Sequence, residues 1–208
     1  MPSLLHISAS PRGARSESLA IARTFLDALR DRSSDITIET LDLWDGTLPS
    51  FGPQAAAAKM SVFAGQQPTG EEAAAWQAAE RMFRRFAAAD FYLFSVPMWN
   101  HGIPYILKQF IDVVSQPGMI FRFDPQNGYT GLLAGKRAVV VYTSAVYGPE
   151  RPVAFGTDFQ ASYFSGWLAW AGVTDISEVS FRPNLATADA AVGRQAAHAA
   201  ARDLAKAF

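Results

Sequence analysis

The sequence contains no cysteine among its 208 residues. This absence excludes a disulfide framework, a thiolate nucleophile and an iron–sulfur centre held by cysteine ligands. A chain without disulfides suits a reducing compartment, so we expect a cytoplasmic protein.

An excess of charge of either sign is also missing, as are long apolar runs. The net charge of −1 provides neither a basic field for nucleic acid nor an acidic tail. No apolar run approaches the ~20 residues of a membrane span, and residues 1–7 lack the basic and apolar segments of a signal peptide. His6 and His198 have no neighbours at metal-ligand spacing. We therefore expect no nucleic-acid partner, no membrane association and no metal site.

The residues that are present describe a globular chain. Half of them are apolar, and the length suits one domain, residues 1–208, with a large core. Short apolar runs alternate with helical patterns, which predicts an α/β protein with a parallel sheet and helices on both faces. The predicted strands are residues 4–7, 36–41, a run opening at 91, 138–142 and 176–181. Residues 42–70 are expected to hold one short helix, and residues 117–135 a long loop.

Several residues mark predicted helix starts. A Ser, Thr or Asp before an apolar-periodic segment is a good N-cap, and proline suits the first helical position. These residues are Ser16 or Ser18, Thr69 with Glu72 as a capping box, Pro104, Asp158 and Thr187.

The loop after the first strand, residues 8–18, is small and rich in hydroxyl groups. The side chains of Ser10, Ser16 and Ser18, with the N–H groups of residues 16–18, could hold a phosphate at the positive end of the following helix. Glu17 belongs to this set through its N–H, with its carboxylate pointing to water. The loop is neither a Walker loop nor a GxGxxG turn, which favours a monophosphate. The alternative is a capped helix beside solvated arginines.

The stretch of residues 91–104 runs from an apolar strand into a loop at the carboxyl edge of the sheet, where open α/β sheets bind ligands. Pro97 restricts Val96 to extended geometry and helps to end the strand. The loop residues Met98, Trp99 and Asn100 combine flat and polar groups, which suits a flat heteroaromatic ligand. The alternative is an apolar loop packed under its own helix.

Four motifs in order resemble the FMN-dependent NADH-azoreductases, flavodoxin-like proteins related to the NAD(P)H:quinone reductases. The resemblance covers nearly the whole chain. Its motifs are Ser10 with Ser16-Glu17-Ser18, Pro97-Met98-Trp99-Asn100, residues 118–123, and Thr174-Asp175. It implies a flavodoxin-like three-layer sandwich with a five-stranded parallel sheet in the order 2-1-3-4-5.

The resemblance also implies a function and a set of site residues. It implies a homodimer in which NADH or NADPH reduces FMN, and FMN then reduces quinones or azo compounds by two-electron ping-pong hydride transfer. The N–H of Asn100 is the candidate donor to the N5/O4 edge of the flavin. The expected cofactor-binding residues are Ser10, Ser16, Glu17, Ser18, Met98, Trp99, Asn100, His101, Ser144, Ala145, Val146 and Tyr147. Phe121 and Phe123, read as exposed loop aromatics, are the expected substrate contacts or dimer contacts.

One loop departs from the family. Where the family usually has Ser-Arg-Gly-Gly, this chain has Ser144-Ala145-Val146-Tyr147, so close backbone approach to the flavin must be solved differently. His101 stands where the family commonly has Phe; it either protonates the reduced acceptor or lines the wall, and we favour the wall. No catalytic residue is assigned, because the cofactor carries the electronics. The alternative functions are a flavodoxin-type electron carrier and a non-redox binder of FMN or another phosphate ligand.

Overall fold

Strands and helices alternate along the computed structural model, which describes residues 1–33 and 35–208. The strands are β1 (Ser3–Ser8), β2 (Thr37–Asp42), β3 (Phe91–Pro97), β4 (Phe121–Asp124), β5 (Gly128–Gly131), β6 (Arg137–Thr143) and β7 (Asp175–Phe181). The helices are α1 (Glu17–Arg32), α2 (Pro53–Phe63), α3 (Gly70–Ala88), α4 (Tyr105–Val114), α5 (Ala161–Trp170) and α6 (Ala190–Ala207).

The main sheet has five parallel strands in the order β2-β1-β3-β6-β7. Counted within this sheet alone, the order is the predicted 2-1-3-4-5. Residues 138–142 of β6 are buried because helices cover both faces of the strand. Val139 and Val141 pack with α1 and α6, whereas Val140 and Tyr142 pack with α3, α4 and α5. The fold is flavodoxin-like.

A β-hairpin occupies the segment that was predicted as a long loop, residues 117–135. Strands β4 and β5 pair antiparallel, and Asp124 Oδ1 accepts the N–H groups of Gln126 and Asn127 in the turn. Gly128 follows with a φ of +79°, which a residue with a side chain adopts only with strain. The prediction of a loop is wrong because strands of four residues give only a weak alternation signal, which leaves the Asn127-Gly128 turn as the main sign of the hairpin.

Three helix starts differ from the sequence prediction. The capping box does not form: Thr69 makes no side-chain cap bond, and Glu72 accepts a hydrogen bond from Ser61 instead. Asp189, not Thr187, is the N-cap of α6. Pro104 is the N-cap of α4 and not its first helical residue.

Two other predictions about residues 42–70 and 158–172 are confirmed. The expected short helix is α2, which has proline in its first turn. Asp158 Oδ1 accepts the N–H groups of Gln160 and Ala161 at 3.0 and 2.8 Å, so its side chain bonds the start of α5, where Gln160 is the N-cap residue. The helix closes at Gly172, which has a φ of +99°.

Candidate functional site

The loop between β1 and α1 presents three buried serines at the carboxyl edge of the sheet. Ser16 is the N-cap of α1 and accepts the N–H of Leu19 at 3.3 Å, and its Oγ lies 3.1 Å from that of Ser18. Ser10 is 3% exposed, yet within residues 1–33 and 35–208 its Oγ has no hydrogen-bond partner. A buried hydroxyl without a partner costs about 1–3 kcal/mol. The Ser10 hydroxyl is therefore free to donate to a ligand that supplies an acceptor oxygen.

Glu17 follows directly, but its carboxylate does not point to water as predicted. Arg194 of α6 holds it with two charge-assisted hydrogen bonds, from Nη2 to Oε1 at 2.6 Å and from Nε to Oε2 at 3.1 Å. The ion pair directs the negative charge towards the last helix. Only the backbone N–H of Glu17 is therefore left for an anion at the start of α1.

A buried histidine supports this loop from β1. His6 Nε2 lies 2.8 Å from Ser95 Oγ on β3, and Ser95 donates to the carbonyl oxygen of Ser18 at 3.5 Å. Burial, and secondarily the charge of Arg23, lowers the pKa of His6 to about 4. The imidazole is therefore neutral near pH 7, and its bond to Ser95 ties two strands to the first turn of α1.

Replacing His6 with glutamine is expected to flatten the pH dependence of stability in acid. Because His6 titrates near 6.5 when unfolded but near 4 when folded, the unfolded chain binds the proton first, and stability falls as the pH drops between these values. The full difference corresponds to roughly 3 kcal/mol. Thermal unfolding of the native protein and of His6→Gln across this pH range measures the difference in stability. An equally steep loss of stability in acid for His6→Gln would contradict the assignment.

The loop after β3 is a tight turn. The N–H of Trp99 bonds the carbonyl of Gly102, and the N–H of Gly102 bonds the carbonyl of Trp99, both at 2.9 Å. Asn100 and His101 have φ of 48° and 71°, as a two-residue hairpin turn requires. The N–H groups of these two residues lie outside the bonds of the turn, so they are available to a ligand at its tip.

His101 is tied to the segment that precedes α5. Its Nδ1 accepts the N–H of Thr157 at 3.0 Å, and its carbonyl accepts the N–H of Phe159 at 3.0 Å. The neutral ring therefore carries its proton on Nε2. A Cβ on Gly156 would come within 3.2 Å of the imidazole, which explains the small residue beside it. His101 is a fixed wall residue with one donor left over.

The loop after β6 is bonded to the segment after β7. The carbonyl groups of Ser144 and Ala145 accept the N–H groups of Asn184 and Leu185 at 2.8 and 2.9 Å. Ser144 Oγ donates to the carbonyl of Tyr147. These bonds give the loop a defined shape without the two glycines of the related motif.

Two depressions flank the Trp99 turn. The Tyr147 groove, of about 190 Å³, brings together most of the predicted residues of the second and third loops. Its lining is Met98, Asn100, His101, Ser144, Ala145, Val146, Tyr147, Phe155 and Gly156. The Tyr105 groove, of about 1110 Å³, is open and lies on the other side, with Trp99, Asn100, Tyr105, Phe159 and Tyr163 among its lining residues. The predicted ligand loops thus form most of the lining of the Tyr147 groove, whereas the larger Tyr105 groove lies beside them.

An aromatic cluster that the sequence did not predict stands beside the turn. Trp44 lies 5.8 Å from Trp99 and 5.3 Å from Tyr105 between ring centroids, and its Nε1–H bonds the carbonyl of Ala9 at 3.1 Å. The cluster therefore connects the loops after β1, β2 and β3. An aromatic residue shortly after a predicted strand was the signal that could have identified Trp44.

The two predicted substrate contacts, Phe121 and Phe123, differ in exposure. Phe121 is 4% exposed and packs against Trp170, with ring centroids 4.9 Å apart. Its predicted exposure is therefore wrong, because β4 folds back on α5. Phe123 is 51% exposed on the hairpin and contacts Tyr129.

Membrane and metal features were also sought in the described parts of the chain. No helix within them combines the length and apolar character needed to cross a bilayer. In the same residues, no three His, Cys, Asp or Glu side chains come together closely enough to hold a metal ion.

Comparisons of the sequence and of the structure with known proteins indicate the same family. A family described by its flavodoxin-like fold matches residues 2–205. An FMN-dependent NADH:quinone oxidoreductase from Ruegeria pomeroyi is 45% identical over 200 residues, which are 96% of this chain and 98% of that protein. FMN-dependent NADH:quinone oxidoreductase 9 from Burkholderia lata is 37% identical over the whole of both chains.

A solved structure agrees with these relatives. The crystal structure of an azoreductase from Bacillus anthracis strain Sterne superimposes with a TM-score of 0.91 and 25% identity, and 100% of each chain is covered. Full-length coverage in sequence and in structure leaves no part of the fold unaccounted for. The chain therefore belongs to the flavodoxin-like family that contains the FMN-dependent NADH:quinone oxidoreductases and the azoreductases.

Proposed function

We propose that this protein is an FMN-dependent NADH:quinone oxidoreductase that also reduces azo compounds. The observation that carries the proposal is the meeting of three ligand-competent loops at one sheet edge, in a chain that is 45% identical to an enzyme of that name. Quinones and azo compounds are planar acceptors, and a site open at one edge admits them. NADPH is the second candidate donor.

The residues present fit FMN. The unpartnered Ser10 hydroxyl and the hydroxyls of Ser16 and Ser18 can donate to the phosphoryl oxygens, with first-turn N–H groups of α1 beside them. The ring system is proposed to bind at the Tyr147 groove, where the N–H of Asn100 is the candidate donor to its N5/O4 edge. His101 and Tyr147 are among the residues that line this groove.

When bound, FMN supplies two-electron hydride chemistry, and the protein supplies binding, orientation and a dry environment. Within the groove, His101 has one donor left, the Nε2–H, because its Nδ1 accepts the N–H of Thr157. We assign it as a wall residue, and no side chain is assigned as the catalytic acid.

Anaerobic titration tests this function. Purified protein loaded with FMN is expected to lose its flavin absorbance on addition of NADH and to regain it with a benzoquinone. Steady-state turnover with NADH and NADPH against the same quinone then ranks the donors. A protein that does not bind FMN would overturn the proposal, and a stable semiquinone with no quinone turnover would instead identify an electron carrier.

We further propose that the protein is a homodimer with each site completed by the partner. Two features support this. The Tyr147 groove of about 190 Å³ is smaller than the ~300 Å³ of typical ligand pockets. The neighbouring Tyr105 groove exposes apolar surface, with Tyr105 62%, Phe159 61% and Tyr163 39% exposed. A second copy seated on these aromatic residues would bury them and add a wall to the site.

Sedimentation analysis tests the dimer. Replacing Phe159 with arginine is expected to give monomers and to weaken FMN binding, because a charge would enter an apolar interface. Replacing Phe63 with arginine is the matched control, since Phe63 is 50% exposed at the end of α2. A dimer that persists unchanged in Phe159→Arg would contradict this arrangement.

A cytoplasmic location and one domain spanning residues 1–208 complete the proposal. The lack of cysteine and the family match over residues 2–205 support them. The net charge of −1 supports function without nucleic acid or a membrane partner. Fractionation of cells that produce the protein would test the location.

A further inference from the structure

A buried arginine stands behind the wall of the Tyr147 groove. Arg182, at the end of β7, has a side chain that is 8% exposed. Its guanidinium carbon lies 5.5 Å from the ring centroid of Tyr147 and 5.2 Å from that of Tyr142. At these distances a guanidinium is attracted to the faces of aromatic rings. Arg182 is buried and does not line the groove, so it contacts the Tyr147 ring from the protein interior.

Asp158 fixes this arginine. Its Oδ2 accepts from Nη1 of Arg182 at 2.6 Å, while its Oδ1 bonds the start of α5. Ser180 accepts a second bond from Nη2 of Arg182 at 3.2 Å. Because the pair is largely buried, with exposures of 8% and 21%, the guanidinium has little freedom to leave the ring.

The same segment also holds His101, another residue that lines the groove. Thr157 and Phe159, on either side of Asp158, donate their N–H groups to Nδ1 and the carbonyl of His101. One short segment thus fixes two lining residues of the groove, His101 directly and Tyr147 through Arg182. The spacing between the walls is set by residues that do not themselves line the groove.

We propose that Arg182, anchored by Asp158, is a positioning residue that holds Tyr147 as a fixed wall of the groove and thereby sets the affinity for FMN. The inference rests on the proposed function and deepens it. The proposed role of Arg182 also explains how this chain can contact the flavin without the two glycines of the related Ser-Arg-Gly-Gly motif. The flat side chain of Tyr147 contacts the flavin in place of a closely approaching backbone. It can do so only while Arg182 keeps the ring in a fixed position.

A double-mutant cycle on the FMN dissociation constant tests this. Arg182→Met is expected to raise Kd about fivefold in the native background, the size of a lost ring–guanidinium contact. In the Tyr147→Gly background, the same change is expected to have no effect on Kd, because the ring through which it acts is absent. Flavin fluorescence quenching measures all four proteins without reference to turnover.

Two further variants keep the test decisive. If Arg182→Met does not fold, Arg182→Lys replaces it in the cycle, since lysine keeps the charge near Asp158 but not the planar stacked group. Arg137→Met is the matched control: Arg137 also stacks on a ring, Phe208, and pairs with a carboxylate, Asp175, but at the other end of β6. Its FMN affinity is expected to be unchanged.

The outcomes separate the two proposals. Equal effects of the Arg182 substitution in both backgrounds would overturn the positioning role while leaving the proposed function intact. Loss of affinity in Arg137→Met as well would also overturn it, because the effect would then be general. A native protein that binds no FMN would overturn the proposed function and this inference together.

Discussion

Replacing Ser16 with aspartate is expected to abolish tight FMN binding while the fold stays intact. Aspartate is as good an N-cap as serine, so its carboxylate can still accept the N–H of Leu19 as Ser16 does. The same carboxylate would stand beside the phosphate that we propose this loop holds. Repulsion between close charges of like sign is worth a few kcal/mol near a protein surface, so we expect Kd for FMN to rise about 100-fold or more.

Riboflavin provides the internal control for this substitution. It has the same ring system but no phosphate, so its affinity should be the same for Ser16→Asp and the native protein. Ser33→Asp is the matched variant, because Ser33 is the C-cap of the same helix and adds the same charge at its other end. Titration of both ligands by fluorescence quenching gives the comparison. Similar FMN affinities in Ser16→Asp and native protein would rule out the loop as the phosphate site.

Replacing Gly131 with alanine is expected to destabilise the protein by about 3 kcal/mol or more. A Cβ on Gly131 would lie 2.3 Å from the carbonyl carbon of Ala171 and from the nitrogen of Gly172. Both are backbone atoms at the end of α5, so neither can rotate away. The hairpin would have to lift from α5, and Phe121 would lose its contact with Trp170.

Gly166→Ala is the matched control for that prediction, because Gly166 lies inside α5 and a Cβ there meets nothing within 4 Å. We expect this substitution to stabilise the protein by up to about 1 kcal/mol, as alanine favours a helix interior. The midpoint temperature of unfolding should therefore fall for Gly131→Ala and rise for Gly166→Ala. A Gly131→Ala protein as stable as the native one would show that the close approach is not required.

The sheet could be predicted from sequence because its signal is local. Apolar runs such as residues 138–142 are short, rich in β-branched residues and bounded by loops, and their order follows from alternation with helices. The hairpin of β4 and β5 was missed because its strands have four residues each. The first-turn serines and the Trp99 turn could be placed at the sheet edge for the same local reasons.

The walls of the site could not be predicted in the same way, because they depend on contacts between distant segments. Nothing in the sequence around Arg182 indicates that its guanidinium lies between Tyr142 and Tyr147. The contact of Trp44 with Tyr105 likewise joins residues from different crossovers. The carboxylate of Glu17 was assigned to water because its partner, Arg194, is 177 residues away.

That last contact has a consequence for biosynthesis. Glu17 stands at the first turn of a helix made early, whereas Arg194 belongs to the final helix of the chain, which packs on α1. A nascent chain in which Arg194 is still inside the ribosomal tunnel cannot form this bridge. The turn that carries Ser16 and Glu17 is thus expected to reach its final form only after α6 has left the ribosome, so loading of the proposed cofactor would follow synthesis of that helix.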